Sequence, residues 1–414
     1  MDFFEYREGE GFCEDVSLRA IKDQVGTPTY VYSYKTLSRH LEEVKKAFQS
    51  YPTLPCFAVK ANSNISILRE IFNHGYGADL VSLGELKRSS LAGVKPQEIV
   101  FSGVGKQRHE IKAALEHGIL AFNVESPFEL QMIQEVAREL DQMASINLRV
   151  NPNIDAATNP KITTGMYTSK FGIPEDEALR LAEDVKNLSH VKLIGVACHI
   201  GSQITNLEPL GEAAKRMTDL ALRLLDAGHR LEVIDMGGGL GIRYDQENPP
   251  SLEAYALTLI NEVKRSNLRL VIEPGRVLAG NIGVLLTEVV GTKTTPEKTF
   301  VIVDAAMNDL LRPSMYDSYH DILPQKEPQP GGKQLKVDIV GPICESGDFL
   351  GKDRLLPSLD QGDLVFVRGV GAYGATMASN YNSRARPAEV LVKDSELKVI
   401  RKRESLDDIW RLEI

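Results

Sequence analysis

The chain has 414 residues, 43% hydrophobic and 25% charged, with a formal net charge of −9. These are the proportions of a soluble globular protein, so disordered, collagen-like and coiled-coil chains are excluded, and two or three domains are expected at roughly 100–200 residues each. The acidic balance excludes nucleic acid and anionic membranes as partners, which call for clustered Lys and Arg, yet leaves room for a small anionic substrate met by a few local cations.

The opening segment Met1-Asp2-Phe3-Phe4-Glu5 lacks the basic and apolar stretches of a signal peptide, and no uncharged apolar run is long enough to span a bilayer. Four cysteines (Cys13, Cys56, Cys198, Cys344) stand apart, without CxxC pairs or neighbouring histidine clusters. Neither a disulfide scaffold nor a metal site is expected, and a cytoplasmic protein is. Thr29–Tyr32 is a strand candidate that suits either of the domains that follow.

From there two textures alternate. Apolar, β-branched runs predict strands at Pro55–Lys60, Gly77–Ser82, Ile99–Val104, Leu120–Glu125, Ile146–Asn151, Leu193–Ile200, Val233–Gly238 and Leu270–Glu273. Several are apolar at nearly every position, as in parallel strands covered on both faces. Between them, stretches such as Ser66–Asn73, Leu83–Ala92, Pro127–Leu140, Glu175–Asn187 and Leu210–Asp226 carry the apolar spacing of amphipathic helices. Several close on glycine (Gly75, Gly93, Gly118, Gly228), a helix C-terminal signal. Eight such units predict a closed (β/α)8 TIM barrel rather than an open doubly wound sheet, which usually has fewer strands.

After Gly280 helix gives way to short strands: Val284–Val290, Phe300–Val303, Val337–Ile339, Leu364–Val367, Ala388–Val392 and Lys398–Arg401, with Pro324–Lys333 as a solvated loop. This texture predicts an antiparallel β domain. The expected division is a barrel over residues 34–277 and a β domain built from residues 1–33 and 278–414.

Catalytic groups in a parallel barrel sit where the strands end. Those ends supply Lys60, Asp79, Ser82, Ser102, Glu125, Arg149, Asn151, His199, Glu273 and Arg276, with the loop Gly237-Gly238-Gly239 after the seventh strand. Consecutive glycines let backbone N–H groups close on an anion, and loops late in the barrel are a common phosphate site, although a tight turn explains the glycines equally well. A lysine closing an apolar strand is less ordinary than one on the surface, since partial burial frees its amine for Schiff-base chemistry. Lysine and phosphate cradle together are the minimum parts for pyridoxal phosphate, and a carboxylate such as Glu273 at the ring nitrogen strengthens that cofactor as an electron sink. His199 suits packing on the ring face, with Ser202 near the phosphate.

These residues carry a resemblance. Phe57-Ala58-Val59-Lys60-Ala61-Asn62, His199-Ile200-Gly201-Ser202-Gln203, the triple glycine, Glu273-Pro274-Gly275-Arg276, Met307–Pro313 with Tyr316, Cys344-Glu345-Ser346-Gly347-Asp348 and Gly371-Ala372-Tyr373-Gly374 occur in one order along nearly the whole chain. In this the sequence resembles the diaminopimelate decarboxylases, of the alanine-racemase-like (fold type III) group of pyridoxal-phosphate enzymes. The resemblance implies decarboxylation of meso-2,6-diaminopimelate to L-lysine, with pyridoxal 5'-phosphate joined to Lys60 as a Schiff base. It further implies that Gly237, Gly238, Gly239, the backbone of Glu273, Pro274, Gly275 and Arg276, and Tyr373 bind the phosphate. Arg276, Arg312, Tyr316 and Tyr373 would hold the non-reacting end of the substrate and Glu345 its distal ammonium, while Cys344 or Lys60 returns the proton. In such relatives Cys344 and Glu345 reach a partner subunit's site, so a homodimer with shared active sites is implied. Val277 stands where many relatives carry Ser or Tyr, a departure that concerns packing.

Overall fold

The computed structural model describes residues 2–156, 164–166 and 169–414, and the chain falls into two compact units. One comprises residues 41–243 and 247–277; the other comprises residues 1–40, 244–246 and 278–414.

The first unit is an eight-stranded parallel barrel. Its strands are β1 (Thr53–Ala58), β2 (Gly77–Leu80), β3 (Ile99–Phe101), β4 (Ala121–Val124), β5 (Ala144–Arg149), β6 (Val191–Ala197), β7 (Val233–Asp235) and β8 (Arg269–Ile272). Each pairs in parallel with the next, and β8 closes on β1 through Leu270–Thr53, Val271–Leu54 and Ile272–Pro55. The predicted barrel is therefore the observed one. The predicted strands overran their C-terminal ends by one to three residues, because the last residues of each run lie on the loops beyond. Lys60 belongs to a single 3-10 turn, Val59–Ala61, directly after β1.

Side chains alternate in and out along a strand, and this alternation stratifies the barrel interior. Leu54, Cys56, Val100, Ala121, Ile194, Val233 and Val271 form one buried apolar cluster drawn from six strands, a plug that only the interior can assemble. Two residues further along the same faces come Ser102, Asn123, Asp235 and Glu273, all buried. Asn147 Nδ2 donates to Asn123 Oδ1 across 2.9 Å. Gly195 makes room for this pair: a Cβ there would lie 2.6 Å from Asn147 Oδ1 and 2.5 Å from the Val233 carbonyl.

A second buried element shapes the loops after β3 and β4. The Lys106 ammonium donates to Gly103 O (2.8 Å), Asn123 O (2.9 Å) and Glu129 Oε1 (2.6 Å), which uses all three of its hydrogens. Both side chains are 1% exposed, and burial pushes the Glu129 carboxyl up despite the lysine beside it.

The other unit centres on a mixed sheet. The long strand Gly283–Thr294 pairs antiparallel with Thr29–Ser33, Thr299–Val303 and Leu364–Val367. The sheet is mostly antiparallel, as predicted, but two pairings are parallel: Thr29–Ser33 with Ala388–Lys393, and Thr299–Val303 with Leu335–Val340. Thr29–Ser33, which covers the strand candidate Thr29–Tyr32, lies inside this sheet and is buried throughout. Tyr30 and Tyr32 stack at 6.3 Å, and the Tyr30 hydroxyl donates to the Asp309 carbonyl. Among the described residues no helix is long and apolar enough to cross a membrane.

Removing one partner of a buried ion pair strands the other charge. Lys106→Met is expected to cost about 3–5 kcal/mol in urea unfolding, with Glu129→Gln in the same chain recovering more than half of that loss.

Candidate active site

The inward rows of the barrel strands bring the site together at their C-terminal ends. Lys60 Nζ lies 3.5 Å from Asp79 Oδ2; the lysine side chain is 40% exposed and the aspartate 1%. The amine thus reaches the open mouth while its counter-charge stays in the wall. Asp79, one of the strand-end residues read from the sequence, pairs with this amine.

Gly237, Gly238 and Gly239 follow β7 and press against the neighbouring strand ends. Gly237 has φ +64°, and a Cβ there would meet the Cys198 carbonyl at 2.5 Å; at Gly238 it would meet the Glu273 carbonyl at 2.2 Å. The turn is pinned from both sides, since Glu273 N donates to Gly237 O (2.7 Å) and Gly237 N to Asp235 Oδ1 (2.9 Å). Backbone this bare lets an anion approach the turn at van der Waals range.

His199 sits against the same turn. The Gly238 amide donates to His199 Nδ1 (3.2 Å), so that nitrogen is the acceptor and the ring proton belongs on Nε2. Desolvation, reinforced by the Lys60 and Arg149 cations, holds its pKa well below the usual histidine value. The ring is neutral, as a flat surface for an aromatic ligand should be. Nearby, Arg276 Nη2 donates to Ser202 Oγ (3.1 Å), which joins the ends of β6 and β8.

Glu273 is buried, and its carboxyl is pushed up by desolvation, then by Asp235 and Asp79, against the pull of Lys60 and Arg149. Asp235 is raised for the same first reason. Asn123 Nδ2 stands between them, 3.3 Å from Asp235 Oδ2, 3.4 Å from Glu273 Oε1 and 3.0 Å from Ser102 Oγ. Further round the mouth, Arg149 Nη1 contacts Glu125 Oε1 at 2.7 Å and stacks its guanidinium on Phe171, 5.2 Å from the ring centre. Glu125 also accepts from the Gly103 and Gly172 amides.

The remaining predicted residues lie on the other unit. Arg312 is buried; it donates to His320 Nε2 (3.1 Å) and Ser318 Oγ (3.4 Å) and lies 4.8 Å from the centre of the Tyr244 ring. Because arginine only donates, His320 carries its proton on Nδ1, which faces the Arg368 carbonyl at 2.9 Å. Tyr316 ends the short helix Arg312–Tyr316 and is half-buried. Tyr373 holds φ +58° in the Gly371–Gly374 turn. Cys344 and Glu345 are both exposed. Their loop is nonetheless ordered: Asp348 accepts from the Ile343 and Met307 amides, the Cys344 amide donates to Asn382 Oδ1, and the Tyr381 hydroxyl donates to Glu345.

Residues 34–280 match the family model for the pyridoxal binding domain of pyridoxal-dependent decarboxylases. The chain is 47% identical to a diaminopimelate decarboxylase of Vibrio cholerae, over 100% of this chain and 99% of that one. The chain belongs to the diaminopimelate decarboxylase family.

Solved structures of the family agree. Diaminopimelate decarboxylase of Helicobacter pylori complexed with L-lysine shares 43% identity at TM-score 0.92, covering 95% of this chain and 98% of that one. The M. jannaschii enzyme in complex with L-lysine shares 36% at TM-score 0.94, covering 100% and 98%. The cofactor of the family is pyridoxal phosphate, and the barrel fits it on three observations: a glycine turn that any Cβ would fill, a lysine amine at the open mouth, and a buried carboxyl whose pKa is pushed up by desolvation. Asn123 and Asp235 were given no role from the sequence. Their signals were present, as the one polar residue in Ala-Phe-Asn-Val and the acid before three glycines.

A histidine that resists protonation in the folded chain but not in the unfolded one makes stability fall with pH. Below about pH 6.5 the unfolded chain binds a proton at His199 that the folded chain refuses, so this group contributes a loss of up to about 1.4 kcal/mol per pH unit. Urea unfolding midpoints between pH 5 and 7 should therefore fall less steeply with acid in His199→Gln than in the parent chain.

Proposed function

We propose that the protein decarboxylates meso-2,6-diaminopimelate to L-lysine and carbon dioxide, with pyridoxal 5'-phosphate as cofactor. The observation that carries this reading is one barrel mouth holding Lys60, the bare glycine turn and the buried Glu273, in a chain matched end to end by diaminopimelate decarboxylases.

Lys60 would hold the cofactor through its side-chain amine, the group with which the substrate amine competes. The turn Gly237–Gly239 and the backbone of Glu273, Pro274, Gly275 and Arg276, with Tyr373, hold the phosphate, with Ser202 beside them. His199 offers its neutral ring to one face, and Glu273 keeps a proton on the ring nitrogen. When bound, the cofactor supplies an electron sink for the pair left on the α-carbon as carbon dioxide departs. Cys344 or Lys60 then returns a proton to that carbon.

Specificity demands recognition of an amino acid group at the end that does not react. Arg276, Arg312, Tyr316 and Tyr373 hold the distal carboxylate, and Glu345 pairs with the distal ammonium. Charged groups of this kind discriminate strongly, because a substrate lacking either end leaves them desolvated and unmatched. Cys344 and Glu345 stand on an ordered but exposed loop, which supports a homodimer in which each chain lends these two residues to its partner's site. The protein works in the cytoplasm.

Carbon dioxide release should be seen with meso-diaminopimelate and not with arginine or ornithine; release from those two alone overturns the assignment. Borohydride reduction in the presence of pyridoxal phosphate should label Lys60. Arg312→Ala should lower kcat/KM on diaminopimelate about 10- to 150-fold, mainly through KM, as expected for a charged hydrogen bond of about 1.5–3 kcal/mol. Unchanged kinetics would remove Arg312 from the site.

A further inference from the structure

Behind the carboxyl of Glu273 lies a second one, Asp235, that the reaction does not call for. Both are buried, at 7% and 0% exposure, and both lie against the same amide nitrogen. Asn123 Nδ2 has two hydrogens but three acceptors within reach, the third being Ser102 Oγ at 3.0 Å. Asp235 Oδ1 is occupied by the Gly237 amide. The donors around the two carboxyls are thus too few for two full carboxylates held out of water. Two carboxyls that meet at one amide nitrogen and hydrogen-bond each other do not both ionise when one proton can bridge them.

We propose that Asp235 is a positioning residue that shares one proton with Glu273, so that the pair carries a single negative charge and presents a proton where the cofactor's ring nitrogen docks. The cofactor part of this statement rests on the function proposed above; the shared proton does not. The groups facing the pair are Asp79, Lys60 and Arg149 among the charges, and Asn123, Ser102 and the Gly237 amide among the neutral donors and acceptors. Burial raises both carboxyls above their ordinary range; the Asp235 and Asp79 charges add to the rise at Glu273, whereas at Asp235 a hydrogen bond with Glu273 works against it, in keeping with one proton held between the two. Asp235 also ties the two ends of the cofactor site together, one oxygen holding the glycine turn and the other facing Asn123 beside the acid at the ring-nitrogen end.

The test is infrared difference spectroscopy on the cofactor-free chain at pH 8, comparing the parent with Asp235→Asn and with Glu273→Gln. A shared proton means that either substitution removes one neutral carboxyl band and leaves the other acid as a carboxylate; if Glu273→Gln removes a neutral band and Asp235→Asn a carboxylate band, burial alone protonates Glu273 and the proposal falls. If each substitution instead removes one carboxylate band, the two acids are independently charged and the proposal falls. The parent chain gives a separate check that needs no variant to fold: with no neutral carboxyl band at pH 8 the shared proton does not exist. Pyridoxal phosphate uptake by the parent, read from its visible absorbance, tests the cofactor reading on its own.

Discussion

Asp79, Asp235 and Glu273 are buried around one barrel interior, and the mouth is organised by how their charge is offset. In a medium less polarisable than water, three carboxylates repel strongly and each pays a desolvation cost. Two cations answer them from the same faces, Lys60 beside Asp79 and Arg149 beside Glu125. The balance still leaves Glu273 with its carboxyl pushed up. An apolar wall would have no such excess. Its presence makes sense for a site that receives an aromatic ring with a protonated nitrogen, because that ring brings the missing positive charge. Desolvation, reinforced by the same cations, holds the His199 ring neutral.

The period of the β-strand turns this electrostatic arrangement into a structure. On an inward row such as Ala121, Asn123 and Glu125, or Val271 and Glu273, a plug residue is followed two positions on by a polar one and then by the mouth. The apolar plug excludes water from below, which strengthens every interaction above it. A one-residue slip in any strand would turn its polar residue outward among the helices and its neighbour inward. The register is protected where it matters: Gly195 admits no Cβ beside Asn147 and Val233, and Gly238 none beside Glu273.

This periodicity is also why so much was legible beforehand. Strands buried on both faces write themselves as short apolar runs, and the polar residues that interrupt or end them mark the interior and the mouth. Lys60, His199, Glu273 and the glycine turn were found that way. What escaped was what depends on a neighbour distant in sequence. Nothing in Arg312–His320 says that the histidine will accept from the arginine and donate to Arg368. The parallel pairing of Thr29–Ser33 with Ala388–Lys393 joins opposite ends of the chain, and neither segment carries a sign of the other. The strand Phe349–Leu356 was missed because Gly351, Lys352 and Asp353 break its apolar pattern at a register shift.

The two units also differ in how they fix a side chain. In the barrel, position follows from strand phase, so the groups that any pyridoxal-phosphate chemistry needs are set by the most regular part of the fold. In the other unit Tyr373 sits on a left-handed turn, Arg312 opens a helix of five residues, and Cys344 and Glu345 lie on a loop gathered by the Asp348 carboxylate. Such positions are held by individual hydrogen bonds rather than by a repeating lattice, and each can change without shifting a strand. An exchange at one of these positions therefore leaves the strand register and charge balance of the barrel as they were.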